Sequence, residues 1–213
     1  LFKWAAAHEL APAEIHAKFT VLEPLKAGRC DAPESSPVSV VALEHVRAVQ
    51  AKVRAPVKAM IELQLLTGAR PGELVNLKAA DIDRSADVWR CELAQHKTAH
   101  KGKKRVLFFG EQAQEVMKPF ILAAGKGYLF TTGSAGNPYD VAAYRKAITR
   151  GCVAAKVPHW HPHQLRHTAA TELRKKYGVE VARAVLGHAH VAATEIYAEV
   201  DQQVAAKVAA ERG

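Results

Sequence analysis

The chain has 213 residues, of which 49% are hydrophobic and 24% charged, and its formal net charge is +9 at pH 7. This length suffices for one well-buried globular domain with a small appendage, and no apolar run approaches the ~18 residues that a membrane-spanning helix needs. The positive charge favours a polyanionic partner such as nucleic acid, while three widely spaced cysteines argue against a disulfide scaffold and a zinc site and indicate a reducing cytosol.

The N-terminal part is predicted to hold a helical segment followed by a linker. Residues 1–25 carry apolar side chains suited to a helix, whereas residues 26–38, KAGRCDAPESSPV, combine Gly, Pro and Ser in a way that is typical of linkers. About 25 residues cannot build a core of their own, and the chain begins with leucine rather than methionine. We therefore expect residues 1–33 to be the end of a domain that starts upstream, and residues 34–213 to form the main domain.

The rest of the chain mixes helical patterns with a few strand patterns. Apolar spacing and Gly or Pro boundaries predict helices at residues 43–53, 55–67, 71–82 and 111–125. Strand patterns lie at residues 87–94, 104–110 and 128–130, and a loop is predicted at residues 131–140. Beyond these we expect helices interrupted at Gly151, residues 158–162, Gly178 and Gly187. No βαβ alternation is present, so the predicted class is mostly α with a small antiparallel β-sheet, an α+β fold.

A basic segment, HKTAHKGKKR at residues 96–105, lies between the first two predicted strands. Its lysines and arginine are Lys97, Lys101, Lys103, Lys104 and Arg105. A solvated loop is one interpretation of such a charge run. The internal glycine and the flanking strands also fit the tip of a basic hairpin that enters a DNA groove, and both interpretations stay open.

Arg70 stands at a corner between two predicted helices, in TGARPGELVNL. Gly68 is suited to end the first helix and Pro71 to begin the next, so the corner would aim the guanidinium in one direction. Glu73 follows three residues later, within reach of a salt bridge. An ordinary surface ion pair at a helix start is the alternative to a binding role.

The stretch HPHQLRHTAATELRKKYG contains a candidate phosphate site. If Pro162 opens a helix, His163 and Arg166 share one face, and the first turn of a helix attracts anions through its free N–H groups and its dipole. The alternating His159, His161 and His163 raise the alternative of a metal site, although no acidic cluster lies near. Core or surface histidines are a third interpretation.

The stretch LGHAHVAATEIYAEV, residues 186–200, presents His188 just after a helix-ending Gly187 and Tyr197 in the helix that follows. Alone, Tyr197 would be interpreted as a core residue. Attack on a phosphodiester, however, needs cations on the phosphate, a base for the nucleophilic hydroxyl and an acid for the leaving oxygen. The sequence offers arginines, histidines and a lysine for these tasks, which makes Tyr197 a candidate nucleophile.

These motifs, in this order, resemble those of the tyrosine recombinases, the phage integrase family. The matching residues are Arg70 in TGARPGE, Lys97 in HKT, His163 and Arg166 in HQLRH, His188 in LGH and Tyr197 in IY. The resemblance extends over residues 38–200, and a type IB topoisomerase, which shares the chemistry, is a weaker match.

The resemblance implies a mechanism of DNA breaking and rejoining. Tyr197 would attack a DNA phosphodiester and form a 3′-phosphotyrosyl link with release of a 5′-hydroxyl. Arg70 and Arg166 would hold the scissile phosphate, His163 would act as the base or proton shuttle, and His188 would hydrogen-bond the phosphate. A second DNA end would then attack the phosphotyrosine, so the resemblance implies no cofactor, metal or ATP.

The resemblance also implies roles for the basic hairpin and for Glu73. Lys97 would protonate the leaving oxygen, and Glu73 would support the site. The remaining cations of the hairpin would contact DNA, namely Lys101, Lys103, Lys104 and Arg105.

The partners implied by the resemblance are double-stranded DNA attachment sites and three further copies of the chain, in a homotetramer on DNA inside a bacterial cytoplasm, whereas a monomer is the expected alternative for this chain without DNA. Residues 1–33 would be the remnant of a helical core-binding domain plus linker. Valines at helical spacing after residue 199 predict a C-terminal helix that is exchanged between protomers or folds back on its own domain. A prophage or genomic island is the expected source, and the alternatives are a relic that binds DNA without cutting it and a metal hydrolase.

Overall fold

The computed structural model describes residues 1–22, 39–93, 105–133, 137–187 and 195–212, with only the backbone described for residues 195–203. The chain divides into two compact units, Leu1–Pro37 and Val38–Gly213. None of the helices in the described ranges combines the length and the apolar character that a bilayer span requires.

The first unit consists of two short helices over its described residues. Helix α1 spans Phe2–Ala7 and helix α2 spans Ala13–Thr20. The turn between them contains Glu9 at φ 59°, and the rings of Phe2 and Phe19 stack with their centroids 4.5 Å apart. The described part of the predicted helical region 1–25 is therefore a pair of helices rather than one.

The second unit contains eight described helices and five short strands. The helices are α3 (Leu43–Gln50), α4 (Ala55–Thr67), α5 (Pro71–Val75), α6 (Glu111–Ala124), α7 (Val141–Ala155), α8 (Pro162–Tyr177), α9 (Val179–Leu186) and α10 (Glu195–Arg212). The strands are β1 (Ile82–Asp83), β2 (Trp89–Glu92), β3 (Val106–Phe109), β4 (Thr131–Thr132) and β5 (Asn137–Pro138). The predicted class, mostly α with a small antiparallel sheet, is confirmed.

Helix α4 lies at the centre of the second unit. A helix that is apolar on all sides is stable only when other elements surround it, and α4 packs against α3, α5, α6, α7 and α8. Met60, Ile61 and Leu63 on this helix are completely buried. Gly68 ends α4 in the left-handed region at φ 64°, as its position after the apolar run predicts.

Strands β1, β2 and β3 form an antiparallel sheet in that order. Cys91 pairs with Leu107 and Trp89 with Phe109. Because side chains alternate across a strand, Cys91, Leu107 and Phe109 all point into the core, where each is at most 2% exposed. Strands β4 and β5 form a separate antiparallel pair, inside the segment that was predicted to be a loop.

Two predicted boundaries are wrong. The helix predicted for residues 71–82 ends at Val75, where the Asn76 side chain donates a hydrogen bond back to the Gly72 carbonyl, and a 3₁₀ turn follows at Ala79–Asp81. Gly151 does not break a helix but lies within α7. A Cβ atom there would come 2.8 Å from side-chain carbons of Val49 and Val53, so this glycine permits close packing of α7.

The short strand predicted at residues 128–130 is also wrong. Tyr128 forms only an isolated bridge with Lys78, and the strand begins at Thr131.

Candidate functional site

The corner between α4 and α5 holds Arg70 and Glu73 in a fixed geometry. Arg70 is the residue before α5, and its backbone N–H donates to Glu73 Oε2 at 2.8 Å while its Nη1 donates to Glu73 Oε1 at 2.7 Å. The Glu73 carboxylate thus caps the free backbone N–H at the start of α5 and also accepts from the Arg70 side chain. The ion pair that the spacing predicts is therefore present, and it orients the Arg70 guanidinium.

The Glu73 carboxylate is buried and ionised. Burial by itself opposes ionisation, but the nearby Arg105 and Arg70 outweigh it and lower the pKa of Glu73 below its ordinary value. Only 4% of the Glu73 side chain is exposed, against 27% of Arg70. Arg70 is thus the partner that reaches the surface.

Arg166 lies in α8 and binds the ends of two other helices. Its Nη1 donates to the Gly68 carbonyl at 2.6 Å and its Nη2 to the Leu186 carbonyl at 2.7 Å. These carbonyls belong to the C-terminal ends of α4 and α9, where carbonyls have no helical partner and the helix dipole is negative. The two bonds stabilise a guanidinium that is 8% exposed.

Positive charge is concentrated around Arg166. Burial, followed by the repulsion of Arg70 and Arg105, lowers the pKa of Arg166 to about 9. In these surroundings the guanidinium groups of Arg70, Arg105 and Arg166 all interact with the carboxylate of Glu73. An excess of buried positive charge is stabilised by a bound anion.

His163 stands one helical turn before Arg166 and is partly exposed. Its partial burial, and then the charges of His161, Arg166, His167 and Arg70, lower its pKa below the ordinary value of 6.5. The ring is therefore neutral at pH 7 and able to accept a proton. The structure thus brings Arg70, His163 and Arg166 to one site from two distant parts of the sequence.

Gln64 is a supporting residue that the sequence analysis missed. It is fully buried in α4, and its Nε2 donates to the carbonyls of Ala69 (2.9 Å) and Pro162 (3.3 Å). Its Oε1 accepts a hydrogen bond from the Tyr144 hydroxyl at 2.9 Å. Since buried polar groups require partners, a lone glutamine in the apolar run MIELQLL was the available signal. Gln64 joins the segment before Arg70 to the start of α8.

Arg105 was predicted to lie on an exposed basic surface that contacts DNA, and this prediction is wrong. Only 6% of its side chain is exposed, and its Nε is 3.5 Å from Glu73 Oε1. The reason is strand alternation: Arg105 directly precedes β3 and has the same parity as the inward-facing Leu107 and Phe109. The same alternation, applied to KRVLFF in the sequence, would have placed Arg105 inside.

Several predicted site residues lie outside the described part of the chain, namely Lys97, Lys101, Lys103, Lys104 and His188. Tyr197 falls within α10, in the part of the helix for which the backbone alone is described. The roles assigned to these residues stay predictions.

The histidines considered for a metal site have other contacts. At the start of α8 the His161 backbone N–H donates to Gln164 Oε1 at 3.0 Å, and His159 Nε2 is 3.1 Å from the Thr149 hydroxyl. Within the described ranges no three or more His, Cys, Asp or Glu side chains are grouped so as to hold a metal ion. The geometry of the described site fits an oxyanion.

Comparison with known proteins identifies relatives of most of the second unit. The model of the family described as "Phage integrase family" matches residues 41–204. A tyrosine recombinase XerD from Corynebacterium glutamicum is 27% identical over 79% of this chain and 57% of its own length, and a tyrosine recombinase from Pseudothermotoga lettingae is 32% identical over 68% of this chain and 49% of its own. The chain therefore spans about half the length of these relatives.

Solved structures share the fold. An integrase from mycobacterium phage Brujita has a TM-score of 0.63 at 19% identity, covering 100% of this chain and 68% of that one. The XerH recombinase bound to its difH substrate has a TM-score of 0.57 at 19% identity, covering 79% of this chain and 50% of that one.

Proposed function

Because this chain belongs to the phage integrase family, we propose that it is a site-specific DNA recombinase that cleaves and rejoins DNA through a 3′-phosphotyrosyl intermediate. The observation that carries the proposal is the convergence of Arg70, Arg166 and neutral His163 around an excess of positive charge. A phosphodiester resists nucleophilic attack until its negative charge is neutralised, and arginines oriented in advance are suited to that task.

The proposed reaction begins with attack of the Tyr197 hydroxyl oxygen on the scissile phosphorus. His163 takes the hydroxyl proton, directly or through a shuttle, because its depressed pKa leaves the ring neutral. Arg70 and Arg166 stabilise the charge that develops on the non-bridging oxygens. The bond from phosphorus to the 5′-oxygen then breaks, and that oxygen receives a proton.

The remaining steps involve residues that only the family resemblance assigns. Lys97 supplies the proton to the leaving 5′-oxygen, and His188 hydrogen-bonds the phosphate. Lys101, Lys103 and Lys104 contact the DNA backbone. The 5′-hydroxyl of a second DNA end then attacks the phosphotyrosine, so the energy of the broken ester is retained and the reaction needs neither metal nor ATP.

The proposed partners are double-stranded attachment sites and further copies of this chain, bound as a tetramer on DNA in a bacterial cytoplasm. The phage and transposon integrases among the structural relatives support a mobile element as the source. Residues 1–33 are proposed to be the remnant of a core-binding domain with its linker.

The C-terminal helix is proposed to exchange between protomers. In the structure its described half packs on its own chain: Ala205 and Val208 are buried, and Arg212 Nη2 donates to the Leu65 carbonyl at 3.0 Å. Exchange therefore requires release of this contact when the tetramer forms.

The test is a plasmid assay that needs no knowledge of the target site. Supercoiled plasmid is incubated with the chain in EDTA and quenched with SDS, and relaxation and protein-linked nicks are measured for wild type and Tyr197→Phe. We expect both products from the wild type and neither from the variant, with DNA binding equal. Relaxation by Tyr197→Phe would exclude the tyrosine nucleophile, and loss of activity in EDTA would favour a metal hydrolase.

The second candidate function is a relic that binds DNA without cutting it. It predicts a wild-type chain that retains DNA in a gel-shift assay but gives no adduct, as Tyr197→Phe does. The adduct assay decides between the two candidates, because only the enzyme gives an adduct that Tyr197→Phe lacks.

A further inference from the structure

The guanidinium of Arg105 lies in the interior between two parts of the site. Its Nε is 3.5 Å from Glu73 Oε1, and its Nη1 donates to the Val185 carbonyl at 3.0 Å. Its Nε and Nη2 make no hydrogen bond within the described residues. A buried arginine is rare unless it is paired, so its position calls for a reason beyond packing.

On one side, Arg105 belongs to the ion pair that orients Arg70. Both arginines address the same carboxylate oxygen of Glu73, Arg70 at 2.7 Å and Arg105 at 3.5 Å. Arg105 also makes the largest favourable contribution to ionisation of Glu73. Without Arg105, the carboxylate that holds Arg70 would lose its second cation and part of its restraint.

On the other side, Arg105 binds the same helix end as Arg166. Arg105 holds the Val185 carbonyl and Arg166 the adjacent Leu186 carbonyl of α9. Arg166 in turn holds the Gly68 carbonyl, two residues before Arg70. These contacts form a closed ring. It runs through Arg70, Glu73, Arg105, the end of α9, Arg166 and the end of α4. Arg105 joins the Arg70–Glu73 pair to the part of the ring that contains Arg166.

Gly187 provides the space that the ring requires. It ends α9 at φ 64°, and a Cβ atom there would lie 2.6 Å from Arg105 Nη1 and 3.0 Å from Arg105 Cδ. A side chain at this position would therefore force the Arg105 guanidinium to shift from its place beside the Val185 carbonyl.

We propose that Arg105 is a positioning residue, which ties the Arg70–Glu73 pair to the carboxyl end of α9 and so sets the spacing of Arg70 and Arg166 around a bound phosphate. The inference rests on the proposed function in identifying that anion as the scissile phosphate. The tie depends on the planar fork of arginine, because one ammonium group cannot address Glu73 and the Val185 carbonyl together.

The first test measures anion binding without any cleavage. Thermal melting of the 213-residue chain is followed against increasing sodium sulfate, with sodium chloride at equal ionic strength as reference. We expect saturable stabilisation of the wild type, with affinity weakened roughly tenfold or more in both Arg105→Gln and Arg105→Lys. Arg90→Gln, which removes an exposed arginine paired with Asp83, is the matched control and should keep the wild-type affinity.

The Arg105→Lys variant distinguishes the effect of charge on sulfate affinity from the effect of positioning. If Arg105→Lys binds sulfate as tightly as wild type, charge alone suffices and the proposal is overturned. The proposal is equally overturned if Arg105→Gln stays within about twofold of wild type, or if the wild-type chain shows no saturable stabilisation by sulfate.

The plasmid assay separates this inference from the proposed function. Tyr197-dependent adducts formed at wild-type rate by the Arg105 variants would overturn the inference and leave the proposed function standing. Sulfate affinity lost in the variants of a chain that forms no adduct would refute the proposed function and support the inference.

A double variant covers the case in which Arg105→Gln fails to fold. Glu73→Gln with Arg105→Gln removes one buried negative and one buried positive charge together, so the net charge of the site is unchanged and this double variant is expected to fold even if Arg105→Gln does not. We expect it to lose sulfate affinity, because nothing then holds Arg70. A double variant with wild-type affinity would overturn the proposal.

Discussion

Gly68→Ala is expected to lower the free energy of unfolding and to weaken the site. Gly68 has φ 64°, where an alanine costs roughly 1–2 kcal/mol. The added Cβ would lie 2.4 Å from Leu186 Cδ2, and overpacking of a buried position costs ~1–3 kcal/mol. The reduced freedom of the unfolded chain offsets about 0.4–1 kcal/mol, so the net loss is ~1–4.5 kcal/mol.

The assay is urea unfolding of Gly68→Ala followed by circular dichroism, with Gly72→Ala as the matched control. Gly72 lies within α5, and a Cβ atom there would meet only Val141 Cγ2 at an ordinary 3.7 Å. The control should therefore gain about 0.4–1 kcal/mol of stability. The same substitution four residues apart is thus expected to have opposite signs.

A double-mutant cycle with Leu186→Ala divides the loss into its two causes. Truncating Leu186 removes the clash and leaves the backbone strain. The stability lost in the double variant should therefore be ~1–3 kcal/mol smaller than the sum of the losses in the two single variants. The reasoning is refuted if Gly68→Ala and Gly72→Ala change stability equally, or if the cycle shows no coupling. Because the Gly68 carbonyl accepts from Arg166, Gly68→Ala should also weaken sulfate binding, whereas Gly72→Ala should not.

Three further outcomes are expected. Tyr144→Phe should lower the free energy of unfolding by ~1–2 kcal/mol in urea, because the buried Gln64 Oε1 loses its donor; an unchanged midpoint would contradict this. Arg166→Lys should slow adduct formation by about 10–100-fold while the chain still retains DNA in a gel shift, because an ammonium cannot reach both helix ends; near-wild-type rates would show that charge alone is needed. The folded-state pKa of His163 lies below 6.5. The rate of adduct formation should therefore be maximal above pH 6.5 and should decline as the pH falls through that lowered pKa. A midpoint above 6.5 in the pH–rate profile would contradict a neutral base.

Local sequence patterns correctly predicted the contacts between residues that are close together in the sequence. The apolar period and the flanking Gly and Pro placed α4 at Ala55–Thr67, as predicted. The i, i+3 spacing predicted the Arg70–Glu73 pair, because helical geometry alone brings such residues together. The start of α8 at Pro162 follows from the same local rules. The family resemblance rested on the order of short motifs along the chain, from Arg70 to Tyr197.

Tertiary structure decided which groups meet across the chain. Arg166 binds Gly68, 98 residues away, and Leu186, 20 residues away, and no local period encodes these distances. Arg105 was predicted to contact DNA together with the other cations of its segment, but its inward-facing position just before β3 places it beside Glu73. Gly151, a predicted helix break, instead meets Val49 at the α3–α7 contact. The sequence by itself determined where several helices begin and the inventory of reactive groups, since these depend on neighbours within one turn. Only the packing of helix ends against one another decided which arginines form the site, because that depends on where distant segments lie in space.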